Sequence, residues 1–196
     1  MGRVQEEVDI RGNSSYIEYD VMNRMTRQTD VRGNITTYTY DELDRVTETR
    51  VNEKVTQQVY DCLGNVIKDI DALGYETSYE FDERNQLIKE INALGQETRY
   101  TYDATGHVLT VTNAKNQVKE YGYDELGQKT KEINEAGAER LYHYNHMGQV
   151  EGIQTEDQKI IQSQFDISGN LIQIAVNNQD KSQFKYNNMN KLTENK

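Results

Sequence analysis

The sequence predicts an all-β fold: tandem β-hairpin repeats of about 21 residues, joined into one curved or spiralling antiparallel sheet that forms an open arc or partial shell. Three observations predict it. A Tyr-Asp dyad, or a close variant, returns nine times, with seven steps of 21 residues and one of 20. Between dyads, apolar and polar residues alternate with the two-residue period of a strand that buries one face. Each interval also carries two turn signals, and strand-turn-strand-turn in that length leaves no room for a helix.

The dyads are Tyr19-Asp20, Tyr40-Asp41, Tyr60-Asp61, Phe81-Asp82, Tyr102-Asp103, Tyr123-Asp124, Tyr144-Asn145, Phe165-Asp166 and Tyr186-Asn187. Residues 95–116 show a typical unit. Thr98, Tyr100 and Tyr102 alternate with Arg99 and Thr101 to make the first strand. Asp103 then opens an Asp-x-x-Gly turn, in which the carboxylate bonds backbone amides downstream and Gly106 supplies a left-handed backbone. Val108, Leu109 and Val111 follow on a second strand, and a second turn falls at Asn116.

Both turns recur. The first carries Gly64, Gly106, Gly127, Gly148 and Gly169, with Asn23, Asp44, Asn85 and Asn190 at the same place elsewhere. Asn and Asp best tolerate that backbone after Gly. The second turn carries Gly12, Gly33, Gly74, Gly95 and Gly137, and reads as degraded to polar residues around Glu53, Asn116, Gln158 and Gln179. Nine hairpins in series predict about eighteen strands, a sheet roughly 86 Å across at the usual spacing.

The aromatic residues fall in two columns. One is the dyad position. The other, two residues earlier, holds Tyr38, Tyr79, Tyr100, Tyr121, Tyr142 and Phe184, so the two columns contain 15 of the 17 aromatic side chains. Residues two apart share a sheet face, so the rings form ladders across the sheet. An aliphatic column on the second strand runs Met25, Val46, Val66, Leu87, Val108, Val150, Leu171 and Leu192, broken by Lys129. One face is therefore expected to be aromatic and aliphatic, the other polar.

Composition narrows the partners. With 33 acidic against 22 basic residues the net charge is -11, which disfavours nucleic acid, since phosphate binding needs a basic stripe. No apolar run is long enough for membrane insertion or a signal-peptide core, so no targeting signal is expected in this chain. Cys62 is the single cysteine, which excludes an intrachain disulfide. The unbroken period suggests one array over residues 1–196. Gly2-Arg3-Val4 matches Gly64-Asn65-Val66, and the sequence reaches the same phase at Asn190, so the array is expected to be truncated at both ends. Bare edge strands would then invite self-association.

The pattern x-Tyr-x-Tyr-Asp-x-x-Gly-Arg/Asn-Val/Leu resembles the Rhs or YD-repeat family, best over Thr36 to Val46 and Thr98 to Val108. Its members include bacterial Rhs polymorphic toxins, shell components of insecticidal toxin complexes, wall-associated toxins and teneurins. The resemblance implies a shell segment, non-catalytic in itself, that encapsulates or scaffolds an effector in the parent protein. Its partners would be the rest of that shell and the enclosed effector, with the parent secreted or at the cell surface. The family's second turn often contains Pro, and this chain has none. The Asp-Pro-containing core motif that closes toxin shells is absent too, so cleavage is not implied.

No cofactor is expected. Asp-x-x-Gly-Asn at Asp61 to Asn65 and at Asp166 to Asn170 is similar to a calcium loop, but each turn offers one acid where calcium wants several convergent oxygens. His143 and His146 lack partners to complete a zinc shell. Turn formation by Asp and packing by Tyr or Phe is the leading reading of the dyads. The functional alternative is carbohydrate or cell-surface binding, with Tyr79, Tyr100 and Tyr121 stacking on a glycan.

Overall fold

A computed structural model describes residues 3–187 and 189–195. Every element in them is an antiparallel β-strand or a turn, and the contacts group into two units, residues 1–97 and 98–196. The first unit contains β1 (Val4–Val8), β2 (Ser14–Tyr19), β3 (Met25–Thr29), β4 (Ile35–Tyr40), β5 (Val46–Val51), β6 (Lys54–Tyr60), β7 (Val66–Ile70), β8 (Glu76–Phe81) and β9 (Leu87–Ile91). The second contains β10 (Glu97–Tyr102), which begins at the boundary, then β11 (Val108–Thr112), β12 (Val118–Tyr123), β13 (Lys129–Ile133) and β14 (Glu139–Tyr144). It continues through β15 (Val150–Gln154), β16 (Ile160–Phe165), β17 (Leu171–Val176), β18 (Asp180–Tyr186) and β19 (Leu192–Asn195).

Within each unit every strand pairs with its sequence neighbour. The expected eighteen strands become nineteen: the nine dyad hairpins supply β2 to β19, and β1 is a further strand paired to β2. Gly2, whose match to Gly64 gave the expected phase of the first residues, lies outside the described residues.

The two kinds of turn differ in register. Hairpins closed by a dyad shift register just before the aromatic residue: Thr39 faces Glu48, yet Tyr40 faces Val46. Thr47 is the extra residue of a β-bulge. The second-turn hairpins, such as β3–β4, run without a shift. This bulge corrects the expected division of faces. It returns the residue three beyond the aliphatic column to the ring side, so Asp69 faces Gln58, Glu90 faces Tyr79 and Glu132 faces Tyr121. Conversely, Ile70, Ile91 and Ile133 pair with Gln57, Ser78 and Glu120 on the polar side.

Two further corrections concern the second turn. Asn116 and Gln158, read as degraded, hold φ of 59° and 64°, the same left-handed backbone as the glycines. Glu53 lies instead in a tight turn between paired Val51 and Lys54, and Gln179 closes a turn in which Asn177 and Asn178 have φ of 49° and 61°.

Burial is shallow throughout. Ala175 is the one buried hydrophobic residue among those described, and the other described strand side chains are half-buried or exposed. Stability therefore rests heavily on turn geometry. Gly64 has φ of 96° and open space around its missing side chain, so substitution there tests the backbone alone. Gly64→Val should cost about 1–2 kcal/mol in chemical denaturation, from the left-handed penalty. Gly64→Asn should cost markedly less.

Candidate functional site

The dyad loop is the repeated chemical unit. At Asp41, the backbone N–H donates to Arg45 O at 3.0 Å, and Asp44 N–H donates back to Asp41 O at 3.2 Å. The carboxylate closes the loop: Oδ1 accepts from Leu43 N–H at 2.9 Å and from Arg45 N–H at 3.0 Å, and Oδ2 accepts from Arg45 Nε at 2.7 Å. Asp20, Asp61 and Asp166 make the same three contacts, with Arg24, Asn65 and Asn170 as the side-chain donors. Asp82 and Asp124 accept the two amides, and so do Asn145 and Asn187. Asp103 accepts from the amides of Thr105 and His107, and its Oδ2 lies 3.0 Å from His107 Nδ1.

The sequence reading missed the heads of the second turns. Asp9, Asp30, Asp71, Asn92, Asn113 and Asn134 close their loops through the same pair of amides. The signal was available: each stands three residues before the left-handed position, as the dyad Asp does.

The dyad rings lean back on the preceding repeat. Tyr40, Tyr60 and Tyr144 donate through Oη to the carbonyls of Met25, Val46 and Lys129 at 2.6, 2.8 and 2.8 Å, and Tyr123 reaches Val108 O at 3.1 Å. Phe81 and Phe165 lack that hydroxyl. The fifth loop residue covers the ring. Arg3, Arg24 and Arg45 place their guanidinium groups 4.5, 4.8 and 4.7 Å from the ring centroids of Tyr19, Tyr40 and Tyr60, and His107 stacks on Tyr123 at 4.7 Å. A cation held there gains from the negative ring face. The same residue reaches the next loop. Arg24 Nη1 donates to Asp44 Oδ1 at 2.6 Å, Arg45 Nη1 to Asp61 O at 2.8 Å and Gln149 Nε2 to Gly169 O at 2.9 Å, while Asn65 Nδ2 bonds Asn85.

The second aromatic column is half-buried at Tyr79, Tyr100 and Tyr121. Burial, with Asp69 and Glu90 beside it, pushes the Tyr79 hydroxyl above the usual phenol range. Lys129 Nζ lies 5.6 Å from the Tyr121 centroid and 5.0 Å from that of Tyr142. Among the described residues no cluster of three His, Cys, Asp or Glu is arranged to hold a metal ion. Asp61 and Asp166, which gave the calcium-like spacing, spend their oxygens on amides and on Asn65 and Asn170. Cys62 is exposed at a loop tip.

Comparison with known proteins follows this geometry. The RHS Repeat family matches residues 26–54, 81–118 and 102–139. No curated protein matches the chain. A crystal structure of TcdB2-TccC3 is similar over 95% of the chain, with a TM-score of 0.77 at 16% identity. A TcdB2-TccC3-Cdc42 structure gives 0.62 at 17% identity, also over 95%, and a Photorhabdus luminescens Tc holotoxin pore gives 0.56 at 16% over 94%. The chain spans only 12% of the first of these chains and 13% of the other two.

Substitutions separate the loop contacts. Asp41→Ala leaves two loop amides without their side-chain acceptor and should lower the urea midpoint of unfolding. Asp41→Asn should cost little, since Asn145 heads its loop with the same acceptor. Tyr60→Phe removes the hydroxyl that reaches both Val46 O and Gln58 Oε1 at 2.8 Å and should cost about 1 kcal/mol.

Acid acts through the same groups. Side-chain donation from Asn13, Asn34, Asn65 and Asn170, then the backbone amides, holds Asp9, Asp30, Asp61 and Asp166 below the ordinary aspartate value of 3.8. A carboxylate whose pKa is depressed in the folded state contributes stability above its unfolded value and loses it as pH falls through the folded one. Lys159 and Thr155 depress Asp157 in the same direction, to about 2. The urea midpoint should thus hold steady down to about pH 5 and decline below about pH 4, with Asp30→Asn flattening part of the decline.

Proposed function

We propose that this chain, an RHS-repeat chain, is a stretch of wall in a larger β-shell, and that its role is enclosure rather than chemistry. In the parent protein the wall encapsulates or scaffolds a toxin or effector, and the parent is secreted or displayed at the cell surface. The observation that carries this reading is lateral. The dyad loops close on themselves, and at Arg24, Arg45, Asn65, Gln149 and Asn170 the fifth residue also reaches the next loop. Such coupling extends a sheet repeat by repeat and needs no second layer. Support also comes from scale, because nearly the whole chain matches about an eighth of a toxin-complex chain.

A non-catalytic role is supported by the acids themselves. The depressed carboxylates of the dyads are turn closures, distributed along the array and not gathered at one cleft. All residues 1–196 would then serve as one array, with the remainder of the shell and its effector as partners.

Tyr79 favours a second reading, a carbohydrate-binding face. Its half-buried ring stands beside Asp69 and Glu90, and a ring face bordered by carboxylate acceptors suits a sugar. Glycan-array binding lost on Tyr79→Ala, Tyr100→Ala and Tyr121→Ala would support it, and silence across peptidoglycan and common glycans would remove it.

The wall reading is tested in the full-length parent. In-frame removal of residues 98–139, two whole repeats, should expose the enclosed effector to limited proteolysis while flanking repeats stay folded. Unchanged protection of the effector would refute enclosure by this segment.

A further inference from the structure

Within each unit the dyad turns leave the sheet at one edge and the second turns at the other. Each edge therefore presents one tip every two strands, roughly 9.6 Å apart. The second-turn tips change character between the units. In residues 1–97 they carry Ile10, Val31, Leu73 and Leu94, all exposed, the last two at 81% and 79%, with the tight turn at Glu53 interrupting the row. In residues 98–196 the equivalent tips carry Lys115, Glu135, Glu156 and Asn178. Loop closure does not account for the change. Leu94 N–H donates to Asn92 Oδ1 at 3.0 Å, and Lys115 N–H donates to Asn113 Oδ1 at 2.9 Å in the same way.

The dyad tips of the second unit supply a matching row. Leu126, Met147, Ile167 and Met189 stand exposed in four consecutive repeats, Leu126 and Ile167 at 84% and 97%. Between the loops headed by Asn145 and Asp166 opens a cleft of about 260 Å³ lined by Met147, Phe165 and Ile167, with room for a leucine side chain. Both rows keep the two-strand period, so tips of one can seat along the other. The charges agree as well. Arg11 and Arg32 stand beside Ile10 and Val31, and Glu125 stands beside Leu126, all three exposed and outside any ion pair among the described residues.

We propose that the second-turn edge of residues 1–97 docks on the dyad edge of residues 98–196 of a second copy of this chain. Each copy gives one row and receives on the other, a head-to-tail contact. Regular rows of exposed apolar side chains mark an interaction surface, and four a side place it among small, reversible interfaces. The contact uses side chains at the turns, and so differs from pairing through the bare strands β1 and β19. It does not require the shell reading.

Sedimentation velocity of the whole chain tests this in about 0.15 M salt, where screening confines the repulsion between copies of net charge -11 to about 8 Å. The average mass should rise with concentration up to about 1 mM. Ile10→Ser, Val31→Ser, Leu73→Ser and Leu94→Ser together remove the first row. Leu126→Ser, Met147→Ser, Ile167→Ser and Met189→Ser together remove the second. Each variant alone should stay monomeric. Mixed, the two should form a dimer and stop there, because each keeps the half that the other lacks, and that dimer also shows both to be folded. A wild-type mass that stays constant would overturn the proposal. Undiminished self-association of either variant would overturn it in favour of paired edge strands or a like-with-like contact, and a mixture that stays monomeric would overturn the head-to-tail match.

Discussion

A side-chain oxygen at the head of the five-residue loops sets the geometry of the remainder. A five-residue loop turns two backbone amides inward, where no strand can reach them, and an unpaired amide is costly. The side-chain oxygen of Asp41, or of Asn145, accepts both. That acceptor fixes where the left-handed residue falls. The bulge is a separate feature of the dyad hairpins, since β3–β4 closes on the same acceptor without a shift, and the bulge decides the face of the residues beyond it on the return strand. Moving the acceptor by one position would turn the return strand over.

A sheet with Ala175 as its one buried hydrophobic residue among those described cannot depend on a core in the usual sense. Contacts between repeats carry the load in its place. The dyad hydroxyl ties a ring to the carbonyl of the preceding return strand, and the fifth loop residue lies over that ring and reaches the next loop. Arg45, Asn65 and Gln149 differ in charge and length, yet all donate hydrogen bonds. The position therefore selects for a donor with reach, and Arg adds a cation over the ring where it occurs. Coupling of this kind is between nearest neighbours, so each repeat takes its stability from the repeats on either side.

Much of this was legible in the sequence. The dyad period gave the hairpins, and Asp-x-x-Gly gave the first turn with its chemistry. The heads of the second turns are masked by the stronger glycine signal there, although Asp30 stands at the same distance from Gly33 as Asp61 does from Gly64. The bulge was not legible, since alternation counted residue by residue cannot show that Thr47 is skipped. Strict alternation from the aliphatic column puts Asp69, Glu90 and Glu132 on the polar face, whereas the bulge sets them opposite Gln58, Tyr79 and Tyr121. The Arg or Asn after Gly was visible as part of the pattern, but its reach across to the next loop is a property of the assembled sheet.

In a repeat array the columns act as internal controls. A residue that agrees with its column answers to the needs of the fold, as Asp41 and Asp61 do. A residue that departs from its column answers to something local. Lys129 in an aliphatic column is accommodated because Glu132 and two tyrosines receive it. Gln58 in an aromatic column removes a ring beside Asp69, and the lost packing area has no replacement in Val66, which keeps the column's ordinary character. The first departure is balanced within its own repeat. The second is balanced by hydrogen bonds in place of ring packing, since Gln58 Nε2 donates to Asp69 Oδ1 and its Oε1 accepts from Tyr60 Oη.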